Sequence, residues 1–299
     1  MAQSSKLKGT GVALVTPLHK GGNIDFTSLE NLINYTIDGG CNFIVSLGTT
    51  AETSTLEEQE QLAVLEYSLD CVDGRVPVVM GVGGNDTSAC IKRLKHFCSV
   101  SSEKIAAILN VTPYYNKPNQ KGLFEHFKSI ADASPLPIIM YNVPSRTGVN
   151  LSAETCLALA ESNANIMGVK EASGNFAQCM EILRNKPKNF VVFSGDDALT
   201  LPLMSIGMKG VISVTANAFP DLMSQMVNLC LKNDFKQARV IHDKLLPFSN
   251  TIFEEGNPTG IKSALEVLGL VQNNLRLPLV KGSRQHFNKL QEIIKKIKR

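Results

Sequence analysis

The chain has 299 residues, 43% of them hydrophobic, so it can bury a large core, which argues against a disordered protein. Its net charge of +3, from 30 basic and 27 acidic residues, is too small to indicate a nucleic-acid-binding surface. Charged residues make up 19% of the chain, which favours an oligomer because a buried subunit interface needs fewer charges.

The sequence contains no signal for export or membrane insertion. The first twelve residues hold no apolar run of signal-peptide length, and no later stretch reaches the roughly 18 apolar residues of a membrane span. The seven cysteines are scattered without CxxC spacing and the five histidines are dispersed, so we expect reduced thiols, no metal site and no cofactor. We therefore expect a soluble, cytoplasmic protein.

Short β-rich runs alternate with helix-period segments along most of the chain. The runs begin at Gly11, Phe43, Val76, Ala106, Pro137, Ile166, Phe190 and Gly210. In the first helical segment Leu29, Leu32 and Ile33 share one face and Asp25 is a plausible N-cap. The strands are continuously apolar, as parallel strands covered by helices are, and the units repeat at roughly 20 to 35 residues. This pattern predicts a (β/α)8 TIM barrel over residues 1–232.

Residues 233–299 show helix periodicity only. In the last segment Leu290, Ile293, Ile294 and Ile297 form one apolar stripe, so we assign this region to a C-terminal α-helical domain. A doubly wound open sheet is the structural alternative, and it would place a nucleotide-binding fingerprint after the first strand. That position has none, and "GVGGNDTSA" from Gly81 is a weak partial match that we interpret as a tight strand-to-helix turn.

The predicted strand ends carry side chains that can do chemistry. In a (β/α)8 barrel the active site lies at the C-terminal ends of the strands. These ends include Thr49, Thr50, Tyr114, Tyr115, Tyr141, Arg146, Lys170 and Gly195. A lysine at a strand end usually bends out to water. In a narrow barrel mouth, however, partial desolvation favours a free amine that can attack a carbonyl and form a Schiff base.

Schiff-base chemistry also needs a proton shuttle and groups that hold the substrate. Tyr141, one strand before Lys170, suits the shuttle, although it could equally be a core tyrosine with a satisfied hydroxyl. The "GTTAE" turn offers backbone N–H groups and two hydroxyls to a small carboxylate, or is simply a helix cap. Arg146 could bind a second carboxylate or make an ordinary ion pair. Together these groups indicate a 2-oxo acid condensing with an acidic acceptor.

Six motifs give the chain a family resemblance over nearly its whole length. They are "GTTAE", "VTPYYNKP", "YNVPSRTG", "GVKEASG", "SGDD" and "GVISVTAN". In this order they resemble the dihydrodipicolinate synthase family of the pyruvate-dependent class I aldolases. The resemblance implies a lyase that condenses pyruvate with L-aspartate-4-semialdehyde in diaminopimelate and lysine biosynthesis. It also implies a homo-oligomer, a tetramer built as a dimer of dimers, that binds neither nucleic acid nor membrane.

Two other functions compete with this one. A sister aldolase acting on a 2-keto-3-deoxy sugar acid, a 4-hydroxy-2-oxo acid or N-acetylneuraminate would keep Lys170 and Tyr141 but use Arg146 differently. The sialic-acid lyases typically lack this arginine and carry Ser-Thr where this chain has Thr49 and Thr50, which favours the synthase. A non-catalytic ligand sensor is the third possibility, and the retained lysine, tyrosine, threonine and arginine argue against it.

The resemblance also implies roles for individual catalytic residues. Lys170 would form the imine with pyruvate. Tyr141 would be the proton donor and acceptor, linked through Thr49 to Tyr115, and the phenol of Tyr115 would be inserted from the neighbouring subunit.

Four residues would bind the substrates. Thr50 would hold the pyruvate carboxylate through its turn, Ile212 would contribute its backbone, and Gly195 is a further candidate at the seventh strand end. Arg146 would hold the carboxylate of the semialdehyde. The family's usual glycine after the threonine pair is Ala51 here, so that position must have φ and ψ angles allowed to a residue with a Cβ.

A regulatory site is implied as well. Many members are inhibited by lysine, and Asn85 and Tyr114 would hold its carboxylate end. Lysine-sensitive members place a histidine and a glutamate where this chain has Glu58 and Ala89. Losing the carboxylate partner weakens binding of an ammonium group unless Glu58 replaces it. We therefore expect weak or absent feedback by lysine.

Overall fold

The computed structural model describes residues 7–299, and the first six residues of the N-terminal segment considered above lie outside this range. Eight strands form a single closed barrel in which each strand is parallel to the next and the last pairs with the first. They are β1 (Gly9–Ala13), β2 (Phe43–Ser46), β3 (Val78–Gly81), β4 (Ile105–Val111), β5 (Ile138–Asn142), β6 (Ile166–Glu171), β7 (Val191–Ser194) and β8 (Gly210–Ser213). The predicted (β/α)8 barrel is confirmed.

The strands are largely apolar because both of their faces are covered. On β2, Phe43 and Val45 point into the barrel interior, whereas Ile44 packs in the layer between strands and helices. Strand β1 begins two residues earlier than predicted, since Gly9 and Thr10 already pair with β8. Packed side chains of this kind fill the barrel interior and form a rigid floor below the strand ends.

Twelve helices cover the barrel and form the C-terminal region of the described chain. They are α1 (Phe26–Asp38), α2 (Glu58–Val72), α3 (Thr87–Ser101), α4 (Gln120–Ala133), α5 (Pro144–Thr147), α6 (Ala153–Ser162), α7 (Phe176–Asn185), α8 (Thr200–Ser205), α9 (Pro220–Leu231), α10 (Phe235–Glu254), α11 (Thr259–Val267) and α12 (Arg284–Ile297). The predicted N-cap of α1 is present, because the Asp25 side chain accepts a hydrogen bond from the Ser28 N–H. None of these helices is long and apolar enough to cross a membrane.

The last three helices pack on one another at the end of the chain. In α12, Leu290, Ile294 and Ile297 are buried as the apolar stripe predicts, and this face lies against α10 and α11. Helix α10 also packs against α9, the last helix of the barrel. A division of the chain at residue 232 therefore stays a prediction.

Candidate active site

Lys170 and Tyr141 are direct neighbours on adjacent strands. They face each other in the register of β5 and β6, and the Lys170 ammonium lies 4.2 Å from the centroid of the Tyr141 ring. Both side chains are buried, with exposed fractions of 5% and 6%. The structure therefore sets an amine and a phenol side by side, shielded from water, near the mouth of the barrel.

Gly195 makes room for the Lys170 side chain. A Cβ added at Gly195 would lie 3.1 Å from Cε of Lys170 and 2.7 Å from Cβ of Ala172. Its N–H donates to the Glu171 carbonyl at 2.8 Å, which holds the two strand ends together. Ile212 on β8 is buried in the same inner cluster as Tyr141. Gly195 and Ile212 thus lie on the strand ends that surround the lysine.

The residue after Lys170 is a buried carboxylate. Successive side chains of a strand point to opposite faces, so Glu171 lies on the outer side of β6, away from the barrel interior. It accepts hydrogen bonds from the Ser173 N–H at 2.7 Å, the Gln178 amide at 3.0 Å and the Asn142 amide. These donors fix the backbone that follows Lys170. Sequence reasoning did not identify Glu171, although a Lys-Glu pair closing an apolar strand was a usable signal.

Asp197 holds the end of β8 in a similar way. One carboxylate oxygen of Asp197 accepts from the N–H groups of Val214 and Thr215, both at 2.9 Å. Burial raises the pKa of Asp197 despite these hydrogen bonds. Asp197 belongs to the "SGDD" motif, but sequence reasoning assigned it no role. It fixes the backbone two residues beyond Ile212.

A cavity of about 590 Å³ opens at this end of the barrel. Thr49, Tyr114, Tyr141, Arg146 and Glu58 all line it. The structure thus brings together predicted catalytic, substrate-binding and regulatory residues from the ends of three strands, β2, β4 and β5, and the segments that follow them.

Six of the predicted residues lie outside that lining: Lys170, Thr50, Gly195, Ile212, Tyr115 and Asn85. The Tyr115 side chain is 88% exposed and its backbone has φ of 71°. Asn85 is half-buried, and its carbonyl accepts from the Asn116 amide at 2.8 Å. Among the described residues, neither belongs to the wall of the cavity that its own chain forms.

The "GTTAE" segment forms a 3-10 turn rather than the cap of a helix. The turn spans Thr49–Ala51, and α2 begins only at Glu58. Thr50 is 2% exposed, and its hydroxyl oxygen accepts from the side-chain amide of Asn257 at 3.0 Å. Ala51 lies within the turn, and the residue with left-handed backbone is Glu52, with φ of 58°. A Cβ at position 51 is therefore compatible with the turn, as predicted.

Residues of the C-terminal region contact the residues of this turn and Arg146. The Glu52 carboxylate pairs with the Lys262 ammonium, and the two side chains are 1% and 0% exposed. Arg146 is an exposed residue, and its guanidinium donates to the carbonyl of Asn257 at 3.2 Å in a partly buried hydrogen bond. Asn257, Glu52 and Lys262 were absent from the sequence-based site, since no local pattern marks contacts between such distant segments.

Known proteins match the chain over almost its whole length. The profile of the Dihydrodipicolinate synthetase family matches residues 6–297. The 4-hydroxy-tetrahydrodipicolinate synthase of Parabacteroides distasonis is 47% identical over 291 residues, covering 97% of each chain. The dihydrodipicolinate synthase of Aquifex aeolicus superimposes with a TM-score of 0.94 at 40% identity, covering 98% of each chain. That of Acinetobacter baumannii, complexed with pyruvate, gives 0.94 at 39% identity, covering 98% of this chain and 99% of its own. The chain belongs to the dihydrodipicolinate synthetase family, as its motifs predicted.

Proposed function

We propose that the chain catalyses the reaction of a 4-hydroxy-tetrahydrodipicolinate synthase, in which pyruvate condenses with L-aspartate-4-semialdehyde. The pairing of buried Lys170 with Tyr141 at the mouth of the barrel is the observation that carries this proposal. The curated relative at 47% identity has this activity in its name, and a relative of known structure was complexed with pyruvate.

Lys170 serves as the nucleophile. Its amine attacks C2 of pyruvate, and loss of water gives an imine that withdraws electrons from the neighbouring carbon. A proton then leaves C3, and the resulting enamine carbon bonds to the aldehyde carbon of the semialdehyde while the aldehyde oxygen gains a proton. Water returns to the imine to release the product from Lys170. Tyr141 is placed to move these protons, since its ring lies beside the amine.

The two substrate carboxylates take separate positions. The turn at Thr50 holds the pyruvate carboxylate, with the strand ends at Gly195 and Ile212 beside it. Arg146, on the wall of the cavity, binds the carboxylate of the semialdehyde. Replacing Arg146 with Ala is expected to reduce turnover with the semialdehyde by about 100-fold, or about 3 kcal/mol, with little effect on imine formation. Equal losses in both steps would contradict this division.

The proton relay requires a second copy of the chain. In this proposal Thr49 links Tyr141 to Tyr115 of the neighbouring subunit. The exposure of Tyr115 outside its own chain's cavity supports this arrangement. The assembly is a tetramer built as a dimer of dimers, and the enzyme works in the cytoplasm without a cofactor.

Feedback by lysine is weak or absent in this proposal. Glu58 and Tyr114 line the cavity, but so does Arg93, whose positive charge would repel a second cation. Asn85 and Tyr114 remain as partners for a carboxylate. Strong, saturable inhibition of the initial rate well below millimolar lysine would contradict this expectation and identify Glu58 as the partner of the ammonium group.

A coupled assay tests the main proposal. Pyruvate and L-aspartate-4-semialdehyde are supplied together with a dihydrodipicolinate reductase, and oxidation of the reductase's nicotinamide cofactor is followed. We expect a rate that requires both substrates and is abolished in Lys170→Ala. Turnover of 2-keto-3-deoxy sugar acids or 4-hydroxy-2-oxo acids in place of this rate would contradict the proposal.

A further inference from the structure

Asn257 lies between the two groups that are assigned to the substrate carboxylates. Its side-chain amide donates to the Thr50 hydroxyl oxygen at 3.0 Å, and its carbonyl accepts from the Arg146 guanidinium at 3.2 Å. Asn257 is 8% exposed and belongs to the connection between α10 and α11. One buried residue of the C-terminal region therefore contacts both subsites.

The Thr50 hydroxyl is the acceptor in its hydrogen bond with Asn257, and this direction leaves its proton available. A threonine hydroxyl has one proton to donate and two lone pairs that accept. Asn257 occupies a lone pair, and among the described residues the Thr50 hydroxyl donates to no protein acceptor. Its proton is thus left for a ligand, and a carboxylate accepts such a proton.

A second buried asparagine in the same region shows that this arrangement is not a general feature of packing. The Asn273 amide donates to the Ser263 hydroxyl oxygen at 3.1 Å, and Asn273 is 3% exposed. Ser263, however, donates its own proton to the Thr259 carbonyl at 3.0 Å. Both asparagines also leave their amide oxygen without a partner in the described structure. The free hydroxyl proton is what distinguishes Thr50 from Ser263.

We propose that Asn257 is a positioning residue that turns the Thr50 hydroxyl into a donor for the pyruvate carboxylate. This inference rests on the proposed function, because it takes pyruvate as the ligand at the Thr50 turn. Asn257 acts through Thr50 and does not touch the reacting atoms. Arg146 is held by the backbone of Asn257, so substitutions of the Asn257 side chain keep that contact.

The substitution Asn257→Asp tests the direction of the hydrogen bond. An ionised aspartate only accepts, so it would take the Thr50 proton and repel the substrate carboxylate. The pyruvate concentration for half-maximal trapping by borohydride should rise by about ten-fold or more, and by about three-fold in Asn257→Ala, where the hydroxyl can still rotate. The half-saturating semialdehyde concentration should stay within about two-fold of wild type in both variants.

The pH dependence of pyruvate trapping by Asn257→Asp distinguishes a positioning role from a general loss of structure. Burial raises the pKa of a carboxyl group, and a protonated aspartate can donate to Thr50 as the amide does. The half-saturating pyruvate concentration of Asn257→Asp should therefore approach that of wild type as pH falls from about 8.5 to about 6. Asn273→Asp is the matched control, and its half-saturating pyruvate concentration should equal that of wild type.

The outcomes separate this inference from the proposed function. Failure of the wild-type enzyme to trap pyruvate would overturn both. Two results would overturn the role of Asn257 alone, provided that the wild-type enzyme traps pyruvate. One is a half-saturating pyruvate concentration in Asn257→Asp equal to that of wild type. The other is a smaller rise of this concentration in Asn257→Asp than in Asn257→Ala. If Asn257→Asp does not fold, Asn257→Ala decides, because an unchanged half-saturating pyruvate concentration contradicts the role and a three-fold rise supports it.

Discussion

At the scale of single residues, the site depends on a glycine as much as on its reactive groups. Gly195 has no side chain to offer, yet its Cα lies against the Lys170 chain so closely that an added Cβ would come within 3.1 Å of Cε. A flexible lysine can give way, but only by leaving its place beside Tyr141. The missing side chain at Gly195 therefore leaves the space that the Lys170 side chain occupies.

Replacing Gly195 with Ala should displace the amine, because the added Cβ would crowd both Cε of Lys170 and Cβ of Ala172. We expect the rate of pyruvate trapping on Lys170 to fall by about ten-fold or more, since reacting groups that are shifted by about 1 Å lose much of their rate. Gly21→Ala is the control, because no atom lies within 4 Å of the Cβ it would add. A trapping rate in Gly195→Ala equal to that of the control would show that a Cβ at position 195 does not displace the Lys170 amine.

At the scale of elements, the turn after β2 is fixed by a helix far away in the sequence. Lys262 on α11 pairs with Glu52 and also donates to the Asn274 carbonyl at 2.8 Å. The Glu52 carboxylate also accepts a hydrogen bond from the backbone N–H of Arg276 at 3.1 Å. Since both charges are buried, removing one leaves the other without an opposite charge in a poorly solvating interior.

Breaking this pair should destabilise the fold strongly. Lys262→Met is expected to lower the free energy of unfolding by about 3–5 kcal/mol, measured by urea denaturation. The double variant Glu52→Gln with Lys262→Met should recover most of the loss, because no unpaired charge remains.

An exposed pair provides the control for this experiment. Lys289 contacts Glu254, and their side chains are 50% and 44% exposed. Lys289→Met should change the free energy of unfolding by less than about 1 kcal/mol, since exposed ion pairs contribute little. Equal effects of the two lysine substitutions would mean that the Lys262 pair is not a special constraint on the turn.

At the scale of the whole molecule, the proposed proton relay requires two copies of the chain. Tyr115 is 88% exposed, next to Tyr114 on the cavity wall of its own chain. A phenol that completes a proton relay must reach Thr49 and Tyr141, and we propose that Tyr115 does so in the neighbouring subunit. Activity would then depend on association.

Mixing two inactive variants tests this dependence. Tyr115→Phe keeps Lys170, and Lys170→Ala keeps Tyr115, so a hybrid of the two contains one site with both groups. We expect the coupled activity to return in such hybrids, with tags confirming that mixed assemblies have formed. Continued inactivity of verified hybrids would place Tyr115 in the site of its own subunit.

The sequence predicted the barrel and the neighbouring positions of Tyr141 and Lys170, for identifiable reasons. Eight apolar runs between helical segments predict a closed parallel barrel, and parallel register then brings Tyr141 and Lys170 to the same rim. The same rules cannot find Asn257, which contacts Thr50 across 207 positions, or Lys262, which contacts Glu52 across 210. These partners belong to loops and helix faces whose contacts depend on tertiary packing rather than on periodicity.

The proposed reaction depends on an imine between Lys170 and pyruvate. The most direct measurement adds borohydride with pyruvate to the wild-type enzyme and locates the modified residue by mass spectrometry of the intact chain and its peptides. We predict one three-carbon adduct per chain, on Lys170, and none in Lys170→Ala. An unmodified wild-type chain, or an undiminished adduct in Lys170→Ala, would rule out an imine at Lys170.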